Sequence, residues 1–136
     1  MSTFNGPVLV IPSPQGSPAN GNSMGGNITS SPTILYLMSK CSYSFNWTGT
    51  SPVGTISIQG SNDFSLNNAL GVYNPGIWNT LTLNYNGTAV TSVPVSGNSG
   101  NGLIDITATG IYAVRLLYTR ASGTGTLTSY FCSKAG

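Results

Sequence analysis

The stretch Cys41-Ser42-Tyr43-Ser44-Phe45-Asn46-Trp47-Thr48 decides the fold class, because its odd positions are apolar or aromatic and its even positions are polar. A period of two is typical of a β-strand with one buried face and one solvated face. The alternation returns, with turn residues in between, at 53–60, 79–85, 89–95, 103–108, 112–118 and 126–132. These segments predict an all-β fold, an antiparallel β-sandwich of about eight strands in a jelly-roll-like or other Greek-key order.

Gly, Asn and Pro mark where the chain turns between these strands. Asn86-Gly87 is the strongest short hairpin signal in the sequence, so segments 79–85 and 89–95 are expected to pair as an antiparallel hairpin. Pro94 has no N–H for a ladder, which predicts an edge position for the returning strand. Segments 97–102 and 121–125, rich in Gly with Ser or Asn, are predicted as turns.

Residues 1–32 differ from the rest of the chain, because five prolines alternate there with Gly and Asn. We predict an extended arm over residues 1–32 and a β-sandwich domain over residues 33–136. Val8, Leu9, Val10 and Ile11 form an apolar run with a proline on each side, which suits an edge strand or a segment laid along another chain. Two arrangements fit this run: a segment laid along another chain, or the first strand of the chain's own sheet followed by a long loop.

The shortage of ionisable side chains excludes most familiar chemistry. Charged residues make up 4% of the 136 residues, against about 25% in an average soluble domain, and the net charge is +2. Four Lys and Arg residues cannot form the basic stripe that neutralises several phosphates, so we expect no nucleic-acid partner. With no His and only two acids, we expect no enzyme activity, no metal and no cofactor.

The sequence shows no segment that would direct the chain to a membrane or to secretion. No apolar run approaches the roughly 18 residues that span a bilayer, and no basic region followed by a long apolar one opens the chain. We therefore expect a chain made and kept in a cytoplasm, or carried out of it inside a larger particle, with no membrane partner. In that compartment Cys41 and Cys132 are expected to be two separate thiols rather than a disulfide.

Four polar residues are candidate structural positions. Asn62 and Asp63 directly follow a strand, where their side chains typically set a turn. A calcium site at Asp63 is the sharper alternative, but calcium takes about six to eight oxygens and only Asp105 remains to help. Asp105 lies within a strand and is expected to form an ion pair with Arg115 or Arg120.

Aromatic residues are the candidates for binding a ligand. Trp78 and Tyr73 are possible members of a platform on which a sugar stacks. Trp47 shares a strand face with Tyr43 and Phe45, so it is expected in the core.

Three segments together resemble a known group of proteins. They are Thr55-Ile56-Ser57-Ile58-Gln59-Gly60-Ser61-Asn62-Asp63, Tyr112-Ala113-Val114-Arg115-Leu116 and Ser122-Gly123-Thr124-Gly125-Thr126-Leu127-Thr128. The chain resembles the small β-sandwich virion proteins of tailed bacteriophages, in which such a strand end, such a strand and such a hairpin recur. The resemblance implies a structural role, with Asn62 and Asp63 shaping a loop and Arg115 forming a polar bridge. The sequence departs from the pattern after Asp63, where 64–68 replace a short link to an aromatic residue.

The resemblance and the composition together favour a structural virion protein. The first hypothesis is a capsid decoration or cement protein that binds and stabilises the capsid lattice, located in the virion and assembled in the host cytoplasm. Its partners would be the major capsid protein or other virion subunits, and itself as a dimer or trimer, because sheet edges without Lys or Glu invite pairing. The alternatives are a phage tail or fibre module and a carbohydrate-binding β-sandwich.

Overall fold

The computed structural model describes residues 4–11, 23–30, 32–35, 40–65, 75–107 and 110–134. These residues form antiparallel strands and no helix, which confirms the predicted all-β antiparallel fold. In chain order the strands are β1 (Phe4–Ile11), β2 (Ile28–Thr29), β3 (Thr33–Ile34), β4 (Lys40–Ser61), β5 (Asn79–Thr80), β6 (Leu83–Tyr85), β7 (Thr88–Val90), β8 (Val93–Val95), β9 (Ser99–Thr107) and β10 (Ala113–Lys134). Across the sheet the order is β1-β10-β4-β9-β6-β7, while β2 and β3 also pair with β10, and β5 and β8 also pair with β4.

Two strands of 22 residues each, β4 and β10, form the centre of the sheet. They pair along their whole length, from Ser61 opposite Ala113 to Lys40 opposite Lys134. The predicted segments 41–48 and 53–60 are the two halves of β4. The turn predicted at 121–125 is wrong, because β10 continues through these small residues beside β4 instead of reversing direction.

Three lines of backbone run side by side through the middle of the sheet: β4, β10, and β8 followed by β9. All three bend at the same level. Each of the three lines has one residue with a left-handed backbone at the bend: Ser51 with φ 47°, Gly97 with φ 86° and Gly123 with φ 78°. We call the three bends together, residues 49–53, 96–98 and 120–124, the corner.

An extra residue at the corner keeps one face of the sheet turned inward. The buried positions of β4 are odd-numbered up to Trp47 and even-numbered from Pro52 onward. In β10 they change from even at Tyr118 to odd at Leu127, across register shifts between Arg120 and Thr124. Because side chains alternate between the two faces of a strand, one added residue restores the same face to the core after the bend.

Hydrogen bonds to Asn98 hold the corner together. The Asn98 carbonyl accepts from the Gly49 N–H at 2.8 Å, and its Oδ1 accepts from the Ser51 N–H at 2.8 Å. The Trp47 indole N–H donates to the Gly97 carbonyl at 3.2 Å. The turn predicted at 97–102 is therefore confined to residues 96–98, and β9 begins at Ser99.

The bend folds the sheet into two facing layers. The first layer contains residues 40–48 of β4 with β9, β6 and the C-terminal half of β10; the second contains residues 53–61 with β8, β5 and the N-terminal half of β10. Tyr43 and Phe45 of the first layer and Ile56 and Ile58 of the second are all buried in one hydrophobic cluster. The sandwich is thus built from one bent sheet rather than from two separate ones.

The Asn86-Gly87 hairpin links the two layers. The turn forms as predicted, with φ 53° at Asn86 and φ 81° at Gly87, and it joins β6 to β7 in the first layer. The hairpin is shorter than predicted, because β5 and β8 on either side pair with β4 in the second layer. The three residue steps from Thr80 to Leu83 reach at most about 10 Å, the usual distance between packed sheets.

Two described parts of the predicted extended arm, residues 4–11 and 23–30, lie along the chain's own sheet. Strand β1 pairs with residues 129–134 of β10, so Val8, Leu9, Val10 and Ile11 lie in the chain's own edge strand, the second of the two arrangements considered. Residues 23–30 continue along β10, and they bury Met24 and Ile28 in the core. Both parts line the edge of β10 that faces away from β4. The division into an arm over residues 1–32 and a domain over residues 33–136 stays a prediction.

Two glycines of β9 make room for the aromatic residues of the decisive stretch. Phe45 and Trp47 stack with their ring centroids 6.1 Å apart, and they lie opposite Gly102 and Gly100. A Cβ at Gly100 would overlap the Trp47 ring. The exposed fraction of Trp47 is 7%, so the prediction that it lies in the core is confirmed.

Candidate functional site

Asn62 and Asp63 lie directly after β4, at the end of the second layer that is remote from the corner. The Asp63 Oδ1 accepts a hydrogen bond from the Ser61 hydroxyl at 2.9 Å and another from the Ile77 N–H at 2.8 Å. The Asn62 Oδ1 accepts one from the Tyr112 N–H at 2.9 Å. Beyond shaping a local turn, the two side chains therefore tie two distant segments of the chain to the end of β4.

The hydrogen bonds from the Ile77 N–H and the Ser61 hydroxyl lower the pKa of the Asp63 carboxyl. A donor that faces a carboxylate stabilises its charged form. Asp63 is consequently ionised at neutral pH, and it is one of only two acidic residues in the chain.

An open hollow of about 400 Å³ lies beside Asp63, lined by residues 60–63, Ile77, Asn79, Leu81 and Ile111. Ile77 is 72% exposed, the largest exposed fraction among the large apolar side chains that the structure describes. Tyr112 next to Ile111 is 39% exposed. We call Ile77, Leu81 and Ile111, which line the hollow together, the Ile77 patch.

The Ile77 patch is presented by a fixed backbone. The Ile77 and Tyr112 N–H groups are held by Asp63 and Asn62, and the Leu81 N–H donates to the Ile58 carbonyl at 2.8 Å. An exposed apolar side chain on a fixed backbone loses little conformational entropy when a partner covers it. This arrangement favours binding to another macromolecule.

Arg115 braces the segment that carries Ile77. Its Nε and one terminal nitrogen donate to the Gln59 Oε1 at 2.9 and 2.8 Å. Its guanidinium carbon lies 4.2 Å from the centroid of the Trp78 ring. The ring centroids of Trp78 and Phe64 are 5.5 Å apart. The Trp78 indole N–H donates to the Pro75 carbonyl at 2.8 Å.

The ion pair predicted between Asp105 and Arg115 or Arg120 is not formed. Asp105 lies in β9 opposite Ser42 of the first layer, whereas Arg115 lies opposite Gln59 in the second layer. The Arg120 Nε donates to the Gly123 carbonyl at the corner. The bent sheet places these residues in different parts of the molecule, which a reading of single strands does not show.

The two aromatic glycan candidates have different outcomes. Trp78 is half-buried and its ring already contacts Arg115 and Phe64, so part of the surface on which a sugar would stack is occupied, and the glycan contact stays a prediction. Tyr73 lies outside the described residues. The contact predicted between Val8–Ile11 and a capsid subunit stays a prediction, with β1 now placed at one end of the strand order.

The two cysteines are free thiols, as the sequence predicts. Cys41 lies opposite Ser133 and Cys132 lies opposite Ser42, so neighbouring strands place the two thiols on opposite faces of the sheet. Burial raises the pKa of the Cys41 thiol from 9.0 to about 12. Cys41 is therefore an inert core residue at neutral pH.

Sequence reasoning missed the main features of this end of the sandwich. Gln59 was one polar position among several in an alternating strand, and Ile77 was one apolar residue in an irregular segment. The only local signal is that Ile77 stands between Gly76 and Trp78, outside any alternating run. Its exposure depends on the long-range bond to Asp63, which no local pattern reveals.

Two absences concern the residues that the structure describes. No three His, Cys, Asp or Glu side chains among them gather into a group that would hold a metal ion. Nor do these residues contain a helix of the length and apolarity needed to cross a membrane.

Comparison with known proteins gives similarity at the level of the fold. No protein-family model matches the chain, and no curated protein matches its sequence. Among solved structures, the SPBc2 prophage-derived protein YomS is similar, with a TM-score of 0.55. The two chains are 12% identical, and the alignment covers 82% of this chain and 86% of YomS. This similarity shows that the fold occurs in a prophage-derived protein.

Proposed function

We propose that the chain is a structural virion protein of a bacteriophage and that it acts as a capsid decoration or cement protein. The observation that carries the proposal is a rigidly presented Ile77 patch at one end of a sandwich that has very few charges. The fold that it shares with a prophage-derived protein supports a phage origin.

The outer face of the first layer supports attachment to a lattice in many copies. Its exposed or half-exposed positions along β4 are Lys40 and four short polar residues, Ser42, Ser44, Asn46 and Thr48. Short hydroxyl and amide side chains hydrogen-bond to a neighbouring surface, and such bonds depend less on salt than exposed ion pairs do. With a net charge of +2, copies packed side by side repel each other weakly.

The partners in this proposal are the major capsid protein or other virion subunits. The Ile77 patch would be covered by such a subunit, because binding energy concentrates in apolar side chains at the centre of an interface. Self-association as a dimer or trimer would use the strands that end the sheet, β1 and β7, which carry no Lys or Glu. The location would be the virion, after assembly in the host cytoplasm.

The test is binding to phage particles prepared without this chain, measured by co-sedimentation. The purified chain should bind at a defined number of copies per particle, and Ile77→Ser should weaken binding by at least tenfold. Val53→Ser is the matched control, because Val53 is 39% exposed but lies at the corner, away from the Ile77 patch. A wild-type chain that does not sediment with any particle would refute the proposal.

A tail or fibre module is the second candidate, because the shared fold carries no information on the position in the particle. Particles with and without tails distinguish the two: a decoration protein binds isolated capsids, and a tail module binds only tailed particles. A carbohydrate-binding role has less support, since the Trp78 ring is already partly covered by Arg115 and Phe64.

A further inference from the structure

The hollow beside Asp63 combines one negative charge with an apolar wall. The carboxylate of Asp63 lies at one side, and Ile77, Leu81 and Ile111 supply the apolar lining. We propose that this hollow binds an arginine side chain of a partner protein. The identification of that partner as a virion subunit rests on the function proposed above, whereas the recognition of arginine does not.

The described residues do not neutralise the charge of Asp63. Its pKa is lowered by hydrogen bonds, and no neighbouring cation contributes. Arg115 is engaged with Gln59 and Trp78, and Arg120 lies at the corner. Within the part of the chain that the structure describes, Asp63 has no ion-pair partner, and a cation from outside would complement it.

The carboxylate has acceptor capacity left for such a cation. An ionised carboxylate offers about four lone-pair positions, and the Ser61 hydroxyl and the Ile77 N–H occupy two of them at Oδ1. These two donors also fix the orientation of the carboxylate. Because the acceptor is already ordered, binding a guanidinium costs little conformational entropy and adds a charge-assisted hydrogen bond.

The apolar wall favours arginine over a small cation. The arginine side chain has a three-carbon stem that packs on apolar surface while its head stays at a polar group. Leu81 and Ile111 are half-buried and offer such a surface beside Asp63. A guanidinium is also more weakly hydrated than an ammonium, so arginine is preferred to lysine at ion pairs in interfaces.

The first test uses the chain alone and titrates it with N-acetylarginine amide, followed by nuclear magnetic resonance. The methyl signals of Ile77, Leu81 and Ile111 should shift with saturation. N-acetylcitrulline amide, which has the same shape without the charge, should bind at least tenfold more weakly. Equal binding of the citrulline probe, or of N-acetyllysine amide, would overturn the proposal, and this comparison needs no variant.

The matched variants are Asp63→Asn and Asp105→Asn. Asn keeps an Oδ1 that accepts from Ser61 and Ile77, so the backbone should stay in place, and an unchanged Ile77 amide signal checks this. Both variants have the same net charge, because the chain has two acids and each variant loses one. Asp63→Asn should lose the arginine response and Asp105→Asn should keep it; equal losses would indicate a general charge effect and overturn the proposal.

The second test applies the same two variants to particles. Asp63→Asn should weaken particle binding by at least tenfold and reduce its dependence on salt, while Asp105→Asn should bind like the wild type. If the wild type binds particles and Asp63→Asn binds equally well, the inference fails and the proposed function stands. If the wild type binds no particle but still binds the arginine probe, the proposed function fails and the arginine site stands.

Discussion

The corner and the Asn62-Asp63 end use the same kinds of residue for different purposes. At the corner, Asn98 bonds to Ser51, Gly123 takes a left-handed backbone, and these contacts join three strands that run side by side. At the other end, Asn62 and Asp63 bond to single segments that present apolar side chains to solvent. The difference leads us to propose that the corner stabilises the sandwich, whereas the Asn62-Asp63 end serves binding.

The largest effect is expected from Gly123→Ala at the corner. The added Cβ would overlap the Ser51 carbonyl, and backbone atoms cannot move away as a side-chain tip does. We expect a loss of about 4 kcal/mol in the free energy of unfolding, or no folding at all. Gly87→Ala is the control, because Gly87 has a similar φ of 81° but its Cβ would meet nothing within 4 Å. It should cost only about 1–2 kcal/mol for the left-handed conformation, and equal losses in urea unfolding would contradict the role of the corner.

A second prediction concerns the pH dependence of stability. Burial raises the pKa of the Cys41 thiol from 9.0 to about 12, and it raises the pKa of the Tyr43 hydroxyl as well. The folded state therefore favours the protonated forms, so its stability is complete below pH 9 and is lost as the pH rises toward 12. We expect a loss of a few kcal/mol over this range, because one pKa unit corresponds to about 1.4 kcal/mol.

The control for this pH dependence is the range from pH 5 to pH 8. The chain has no His, so none of its side chains has an ordinary pKa in this range and the melting temperature should stay constant. Cys41→Ala should also reduce the loss above pH 9. An unchanged alkaline slope in that variant would show that Cys41 is not the buried thiol described above.

A smaller effect on stability is expected from removing the two asparagine side chains, Asn98 at the corner and Asn62 at the other end. Asn98→Ala removes the acceptor of two bonds, from the Ser51 N–H and the Ser51 hydroxyl, and should lower the free energy of unfolding by about 1–2 kcal/mol. Asn62→Ala removes the acceptor of one bond, from the Tyr112 N–H, and should cost about 0.5 kcal/mol. Particle binding should rank the two variants in the opposite order. A larger stability loss for Asn62→Ala would remove the distinction between the two regions.

The smallest effect concerns a hydroxyl between the layers. The Tyr43 hydroxyl is fully buried, and among the residues that the structure describes it has no partner in good hydrogen-bond geometry. The Thr33 side chain lies close enough to oppose part of the rise in the pKa of Tyr43. Tyr43→Phe removes an unsatisfied polar group, so it should be neutral or stabilise the fold by up to about 1 kcal/mol in urea unfolding. A loss above that amount would reveal a partner for the hydroxyl.

The sequence predicted the strands well and the bends poorly. The alternation in 41–48 and the Asn86-Gly87 turn depend on nearest neighbours, which are visible in the sequence. Small residues at 121–125 look the same whether a strand reverses or bends, because both arrangements use Gly and Ser. What distinguishes them is the continuous pairing of β10 with β4, a contact between residues far apart in the chain.

The candidate site was predicted only in part, because its contacts also join residues that are far apart in the chain. Asn62 and Asp63 were visible as strand-end polar residues, but their partners Tyr112 and Ile77 lie 50 and 14 residues away. Arg115 was expected to form a polar bridge, with Asp105 as one candidate partner; its partner is Gln59, directly opposite on β4. Strand register decides such pairs, and a single sequence does not fix it.

Hydrogen exchange of the chain, free and bound to particles, tests most directly whether the Asn62-Asp63 end is the binding surface. On binding, the amides of residues 75–81 and 110–112 should become protected, and those of 96–98 at the corner should not change. Protection at the corner with none at the Asn62-Asp63 end would contradict the division between a stabilising region and a binding region.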